Sequence, residues 1–141
     1  MSRIYWDTML FVYLLELHPE FEPRVQHIAK TMAQREDTLV TSVFTIGEVL
    51  TGPYKKGARE AAVKIKAILG PPAVEVLPFA ADTAERYAQI RSAYRVKPAD
   101  AIHLASAAIA GVNLFLTNDH RLSKCVIPGI DFIAGLDVNL F

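Results

Sequence analysis

Four acidic residues, Asp7, Glu48, Asp100 and Asp119, stand where a strand or loop gives way to a helix, or on a helix beside such a point. Their contexts are Ile4-Tyr5-Trp6-Asp7-Thr8, Thr45-Ile46-Gly47-Glu48-Val49, Pro98-Ala99-Asp100-Ala101-Ile102-His103 and Leu116-Thr117-Asn118-Asp119. Brought together by a fold, they make a carboxylate cup. Carboxylates packed within ~4–6 Å oppose one another's ionisation, so such a cup calls for a compensating cation. An all-oxygen ligand set selects a hard ion, Mg²⁺ or Mn²⁺. Carboxylates that hold divalent ions commonly serve in-line attack at phosphorus. Clustering of this kind also predicts that Asp→Asn at Asp7 or Asp119 raises the melting temperature measured in chelator, because each neutralisation relieves repulsion.

The elements that position these residues follow from the apolar pattern. Arg3 to Trp6 reads as a first strand, and Thr8 to Leu17 as a helix apolar on most sides. His18 to Pro23 reads as a loop with two prolines. Arg24 to Arg35 is amphipathic, with Val25, Ile28, Ala29 and Met32 on one face. Leu39 to Thr41 is a second strand. Ser42 caps a helix Val43 to Thr51, whose apolar stripe is Val43, Ile46, Gly47 and Leu50 and which Gly52-Pro53 ends. Ala58 to Leu69 is a helix stopped by Gly70-Pro71-Pro72. Val74 to Leu77 is a third strand, and Ala81 to Tyr94 a long helix with Asp82 as candidate cap. Pro98 opens a helix that runs through an alanine-rich segment to Gly111. Leu114 to Leu116 is a fourth strand and Asp131 to Ile133 a fifth. Strands alternating with helices imply a parallel sheet covered by helices. Ligands of such sheets bind outside the carboxyl ends of the strands. Asp7 and Asp119 fall on that edge.

Bulk properties narrow the setting. The chain has 141 residues, 52% apolar and 21% charged, with 15 basic and 15 acidic side chains. A single domain of that length buries roughly 68–70% of its unfolded surface. Balanced charge excludes a generic polycation, so a nucleic acid must be held by a local patch. The one cysteine, Cys125, cannot form an internal disulfide and fits a reducing cytoplasm. No stretch reaches the ~20 apolar residues of a membrane span.

Each carboxylate also has a structural reading. Asp7 suits a helix N-cap. Asp100 suits the first turn of a helix, where the dipole favours it, although the helix it opens is apolar almost all round and a charge there needs a partner. Asp119 suits a turn. Glu48 lies off the apolar stripe and by itself reads as a surface glutamate. His103, three residues beyond Asp100, reads as a structural hydrogen-bonding residue. Lys97, Arg121 and Lys124 read as phosphate ligands or as plain surface charges. The remaining histidines have no zinc spacing with Cys125, and no nucleophile elbow or phosphate loop is present.

Taken together, the four segments resemble the PIN-domain ribonucleases of the VapC toxin type, in order and over nearly the whole chain. Asp7-Thr8 ends the first strand, Glu48 sits on a central helix, Asp100 opens a late helix within Pro98-Ala99-Asp100-Ala101-Ile102-His103-Leu104-Ala105, and Thr117-Asn118-Asp119 closes the last core strand. One position departs: Met9 stands where the family often has Asn or Ser, so any hydrogen bond from that side chain is absent. The resemblance implies a three-layer α/β/α sandwich with a central parallel sheet, one PIN-like domain over residues 1–141, and frequent homodimerisation. It implies Mg²⁺- or Mn²⁺-dependent cleavage of an RNA substrate with Asp7, Glu48, Asp100 and Asp119 as catalytic and metal-binding residues. It also implies a small antitoxin protein as partner. A stand-alone RNA-processing nuclease and a catalytically inactive PIN-like binding module share the fold. A haloacid dehalogenase phosphatase also begins with a strand and an aspartate, but it wants a second aspartate where Met9 stands.

Overall fold

The computed structural model describes residues 1–141. Its sheet is parallel throughout, in the order β3-β2-β1-β4-β5. The strands are β1 (Arg3–Trp6), β2 (Thr38–Ser42), β3 (Glu75–Leu77), β4 (Leu114–Leu116) and β5 (Phe132–Ala134). The helices are α1 (Thr8–Leu15), α2 (Glu22–Gln34), α3 (Val43–Lys55), α4 (Arg59–Ile68), α5 (Ala81–Ala93) and α6 (Pro98–Ala110), and a 3₁₀ turn covers Leu122–Lys124. The chain steps outward from β1 through β2 to β3, then returns to β4 on the other side of β1. That reversal places a topological switch point between β1 and β4, the position where open α/β sheets hold ligands.

Side chains that alternate along the central strands feed two cores. Ile4 and Trp6 of β1 and Leu114 and Leu116 of β4 point to one face, where they meet Leu10, Val25, Ile28, Val49 and Ile65. Tyr5 and Phe115 point to the other, where they meet Ile90, Leu104 and Ala105. Helices α1 to α4 therefore cover one face, and α5 and α6 the other. This is the three-layer α/β/α sandwich expected from the sequence. Register matches across the centre: Tyr5 lies opposite both Val40 and Phe115, and the rings of Tyr5 and Phe115 stack at 4.9 Å. No helix is long and apolar enough to cross a membrane.

Several expected boundaries are corrected. Pro23 lies inside α2, in the first turn, where its missing N–H leaves no bond unmade. Gly52-Pro53 does not end α3, which runs on to Lys55 with Pro53 inside it. Gly57, at φ +68°, follows its end instead. The N-cap of α5 is Ala80. Asp82 is one residue into the helix, where it accepts from the Thr83 N–H at 2.8 Å. The stripe expected on α3 holds only in part: Ile46 and Leu50 pack against the core beside Val49, but Val43 is 46% exposed and Thr45 is buried instead. The cause is a polar buried layer, described below, that apolar periodicity does not register. Helix α6 ends as its sequence implies, with Gly111 left-handed at φ 68°. A Cβ there would meet nothing within 4 Å, so Gly111→Ala costs only backbone strain, about 1–2 kcal/mol. Its expected result is a melting temperature lower by a few degrees in a thermal scan, with the fold unchanged.

Candidate active site

The loops and helix starts at the β1–β4 switch point form an open cleft of about 540 Å³ lined by Asp7, Thr8, Met9, Tyr13, Glu48, Asp100, His103, Thr117, Asn118, Asp119 and Arg121, among others. All four acidic residues selected from the sequence line it. Each arrives by a different route. Asp7 follows β1 and is the N-cap of α1, while its own N–H continues the ladder to Leu116 at 3.0 Å. Asp119 lies three residues beyond the end of β4, after Thr117 and Asn118. Asp100 sits in the first turn of α6, and Glu48 at mid-length of α3.

Asp7 is fixed at both oxygens. Oδ1 accepts from the Thr8 N–H at 2.8 Å and Oδ2 from the Thr117 hydroxyl at 2.8 Å. Capping and site-building are thus the same geometry. The Thr117 oxygen in turn accepts from the Asp119 N–H at 3.1 Å, so the Thr-Asn-Asp turn ties the two aspartates together. Asn118 donates to the Tyr13 hydroxyl at 3.0 Å, anchoring that turn to α1.

Glu48 is drawn into the cleft by groups that the sequence pattern did not reveal. Its Oε1 accepts from the Thr8 hydroxyl at 2.5 Å and stands 2.6 Å from His103 Nε2. A carboxylate only accepts, so that ring nitrogen carries a proton. His103 Nε2 is also 3.6 Å from Asp7 Oδ1. The other ring nitrogen, Nδ1, lies 2.7 Å from the Tyr5 hydroxyl, which bonds Ser42 Oγ at 3.0 Å. Thr41 and Thr45 close this layer at 2.7 Å. His103 is only 2% exposed. Burial alone would lift the Glu48 carboxyl, but the hydrogen bonds from His103 and Thr8 outweigh it and hold Glu48 below the ordinary range. Burial pushes the Tyr5 phenol far above its ordinary value, so it stays neutral.

The two remaining aspartates are opposites. Asp119 is gripped by Arg121, whose Nε and Nη2 donate at 3.0 and 2.8 Å and whose backbone N–H donates at 3.0 Å. The side-chain bond from Arg121 holds the Asp119 carboxyl below the ordinary range. Asp100 has no such help. Burial, followed by the negative charges of Asp7 and Asp119, pushes its carboxyl up. Burial and then the charges of Asp100 and Asp119 also raise the Cys125 thiol, so the negative field reaches past the cleft. Because Arg121 already compensates that charge, Asp119→Asn has little repulsion to relieve and is not expected to stabilise the protein.

The donor set is oxygen-rich and anionic, which fits a hard divalent cation. No three acidic, histidine or cysteine side chains close into one compact ligand group, since Glu48 turns to His103 and Asp119 to Arg121.

Residues 4–126 match the family model of the PIN domain. The chain belongs to the PIN domain family. No curated protein matches it. Among solved structures, this PIN domain is similar to VapBC2 of Rickettsia felis bound to a DNA fragment from its promoter, at 17% identity and a TM-score of 0.74, covering 94% of this chain and 98% of that one. It is similar to VapC20 of Mycobacterium tuberculosis, described as a Sarcin-Ricin loop cleaving toxin, at 20% identity and a TM-score of 0.68, covering 87% and 96%. A toxin–antitoxin complex from Klebsiella pneumoniae is similar at 20% identity and a TM-score of 0.62, covering 90% and 94%. At these identities the likeness establishes a common fold. The site is built from this PIN domain's own residues.

Proposed function

We propose that this PIN domain is an endoribonuclease that uses Mg²⁺ or Mn²⁺ and acts as the toxin of a toxin–antitoxin pair. The observation that carries the reading is the convergence of Asp7, Asp100 and Asp119, with Glu48 beside them, in one open cleft at the switch point of a PIN fold. Asp7, Asp100 and Asp119 would hold the ion, and Glu48 would complete the cup. When bound, the ion supplies a water of lowered pKa and offsets charge at the scissile phosphate. The rest of the work falls to the chain. Thr8 and Thr117 orient both oxygens of Asp7. Thr8 and His103 hold Glu48 ionised through Oε1, which leaves Oε2 to accept a proton or orient a water. Asp100, shifted by burial and charge and by no hydrogen bond, is the carboxylate that gains most from a cation.

The toxin reading draws on the toxin–antitoxin complexes that share the fold. It gives this chain a small antitoxin partner that blocks the cleft, with a guanidinium matching the carboxylates in bidentate geometry, and a homodimeric state. The expected result is cleavage of single-stranded or loop RNA in Mg²⁺ or Mn²⁺ that stops when a chelator is added. Cleavage undiminished in excess chelator would end the metal mechanism. Expression of the gene alone should arrest growth, and co-expression of the adjacent small gene should relieve it. Harmless expression with RNA cleavage intact in vitro would remove the toxin role and leave the nuclease.

A further inference from the structure

Arg121 makes three bonds to one carboxylate two residues away. Its backbone N–H and Nε take Asp119 Oδ1 at 3.0 Å each, and Nη2 takes Oδ2 at 2.8 Å. Both oxygens of Asp119 are thereby engaged at the mouth of the cleft. The arginine side chain is 70% exposed against 27% for Asp119, so the guanidinium closes over the carboxylate from the solvent side. The attraction extends beyond this pair. Asp100 also acts on Arg121, and the charge of Lys97 at the start of α6 also acts on Asp119. An arginine on a long stem, paired at the surface, is held by a weak and exchangeable bond. The backbone N–H bond to Oδ1 survives if the guanidinium leaves, so Asp119 keeps its orientation when its counterion departs.

A divalent cation and a guanidinium compete for the same oxygens of Asp119. A guanidinium released there lies at the rim of an anionic cleft, and its planar fork fits a phosphate as well as a carboxylate. We propose that Arg121 is an exchangeable counterion: it neutralises Asp119 until a divalent cation takes that carboxylate, and it then pairs with a phosphate of the bound RNA. This rests on the divalent-ion reading of the cleft. It adds that the chain itself sets the threshold for ion binding and couples the ion's arrival to the grip on substrate.

The test measures ion binding and RNA binding without relying on turnover. Mn²⁺ binding is followed by electron paramagnetic resonance in the wild type, Arg121→Gln, Arg121→Lys and the control Lys64→Gln, which removes an equal charge from α4. Arg121→Gln should bind Mn²⁺ tighter by about fivefold, the effect of removing one neighbouring positive charge in a partly solvated site. Arg121→Lys should fall between, and Lys64→Gln should match the wild type. RNA binding in Ca²⁺ across a salt series should weaken in Arg121→Gln, with a slope of log K against log salt shallower by about 0.7. Equal Mn²⁺ affinity in wild type and Arg121→Gln, or an unchanged salt slope, overturns the proposal. If no variant binds Mn²⁺, both this proposal and the metal-nuclease reading fall. The expected affinities without RNA cleavage would leave the counterion exchange standing and remove the nuclease.

Discussion

Asp100→Asn is expected to lower RNA cleavage by about 10³-fold, the scale of losing one preorganised electrostatic group at a reacting centre, while raising the melting temperature of the protein in chelator. The opposed signs follow from one fact. Asp100 is half-buried, faces the charges of Asp7 and Asp119, and has a raised carboxyl. The folded protein therefore holds that proton more tightly than the unfolded chain does. Stability falls with pH wherever the folded state binds more protons. The contribution of Asp100 is thus most favourable below the unfolded value near ~3.9, declines as pH rises through the raised folded value, and stays unfavourable at neutral pH. Replacing the carboxylate by an amide removes that penalty, so the melting temperature should rise, though only modestly because solvent screens the charges around a half-buried group. Asp119 runs the other way. Its carboxyl is lowered by Arg121, so its contribution is present above the unfolded value and is lost as pH falls through the folded one. Asp119→Asn should leave melting unchanged or slightly lower, since an exposed pair contributes little. Thermal scans in chelator at neutral pH check both. Should Asp100→Asn melt lower and cleave at the wild-type rate, Asp100 is a structural first-turn residue and no part of the site.

The sheet and two sides of the cleft were legible in the sequence for a local reason. Ile4-Tyr5-Trp6 and Leu114-Phe115-Leu116 are short apolar runs whose residues are buried on both faces, and each is followed at once by its acidic turn. Pro98 and Gly111 mark α6 because their backbone preferences act within one residue. Glu48 was obscure because its direction is set by distant partners. The face of α3 beside it bonds Thr45 to Thr41, Ser42 and His103, and apolar periodicity, which marks only the core side with Ile46, Val49 and Leu50, does not register a polar buried layer. Arg121 was obscure for a different reason. A basic residue near an aspartate is common, and only the three bonds between them distinguish a held counterion from a loose surface charge. The continuation of α3 past Gly52-Pro53 was likewise hidden, since Gly and Pro disfavour a helix without forbidding it, and this last turn is mostly exposed, with no apolar pattern to mark it.

His103 carries the second large effect. It joins the buried layer under the sheet edge to the cleft, with Nδ1 facing Tyr5 and Nε2 facing Glu48 and Thr8. Its ring also packs edge-on against Tyr5 and Phe44 at centroid distances of 5.9 and 5.3 Å. His103→Ala removes a side chain that is almost wholly buried, leaves a void, and strips the Tyr5 hydroxyl and Glu48 of a shared partner. A void plus a poorly satisfied buried hydroxyl costs about 2–4 kcal/mol, or roughly 5–15 °C in melting temperature. Glu48 then keeps only Thr8 and loses its orientation, and a lost orienting partner commonly lowers ion affinity or activity by about 10–100-fold. His103→Gln separates the two effects. Its amide N–H reaches the level of Nε2 and keeps a donor for Glu48, while the bond to Tyr5 is lost. The glutamine variant should therefore recover much of the cleavage rate and little of the stability. Tyr5→Phe should show the converse, a modest loss of stability with cleavage retained, because the group it removes touches His103 and not the cleft. Identical cleavage losses in His103→Ala and His103→Gln, at equal folded fractions, would mean that Glu48 is not positioned through this histidine.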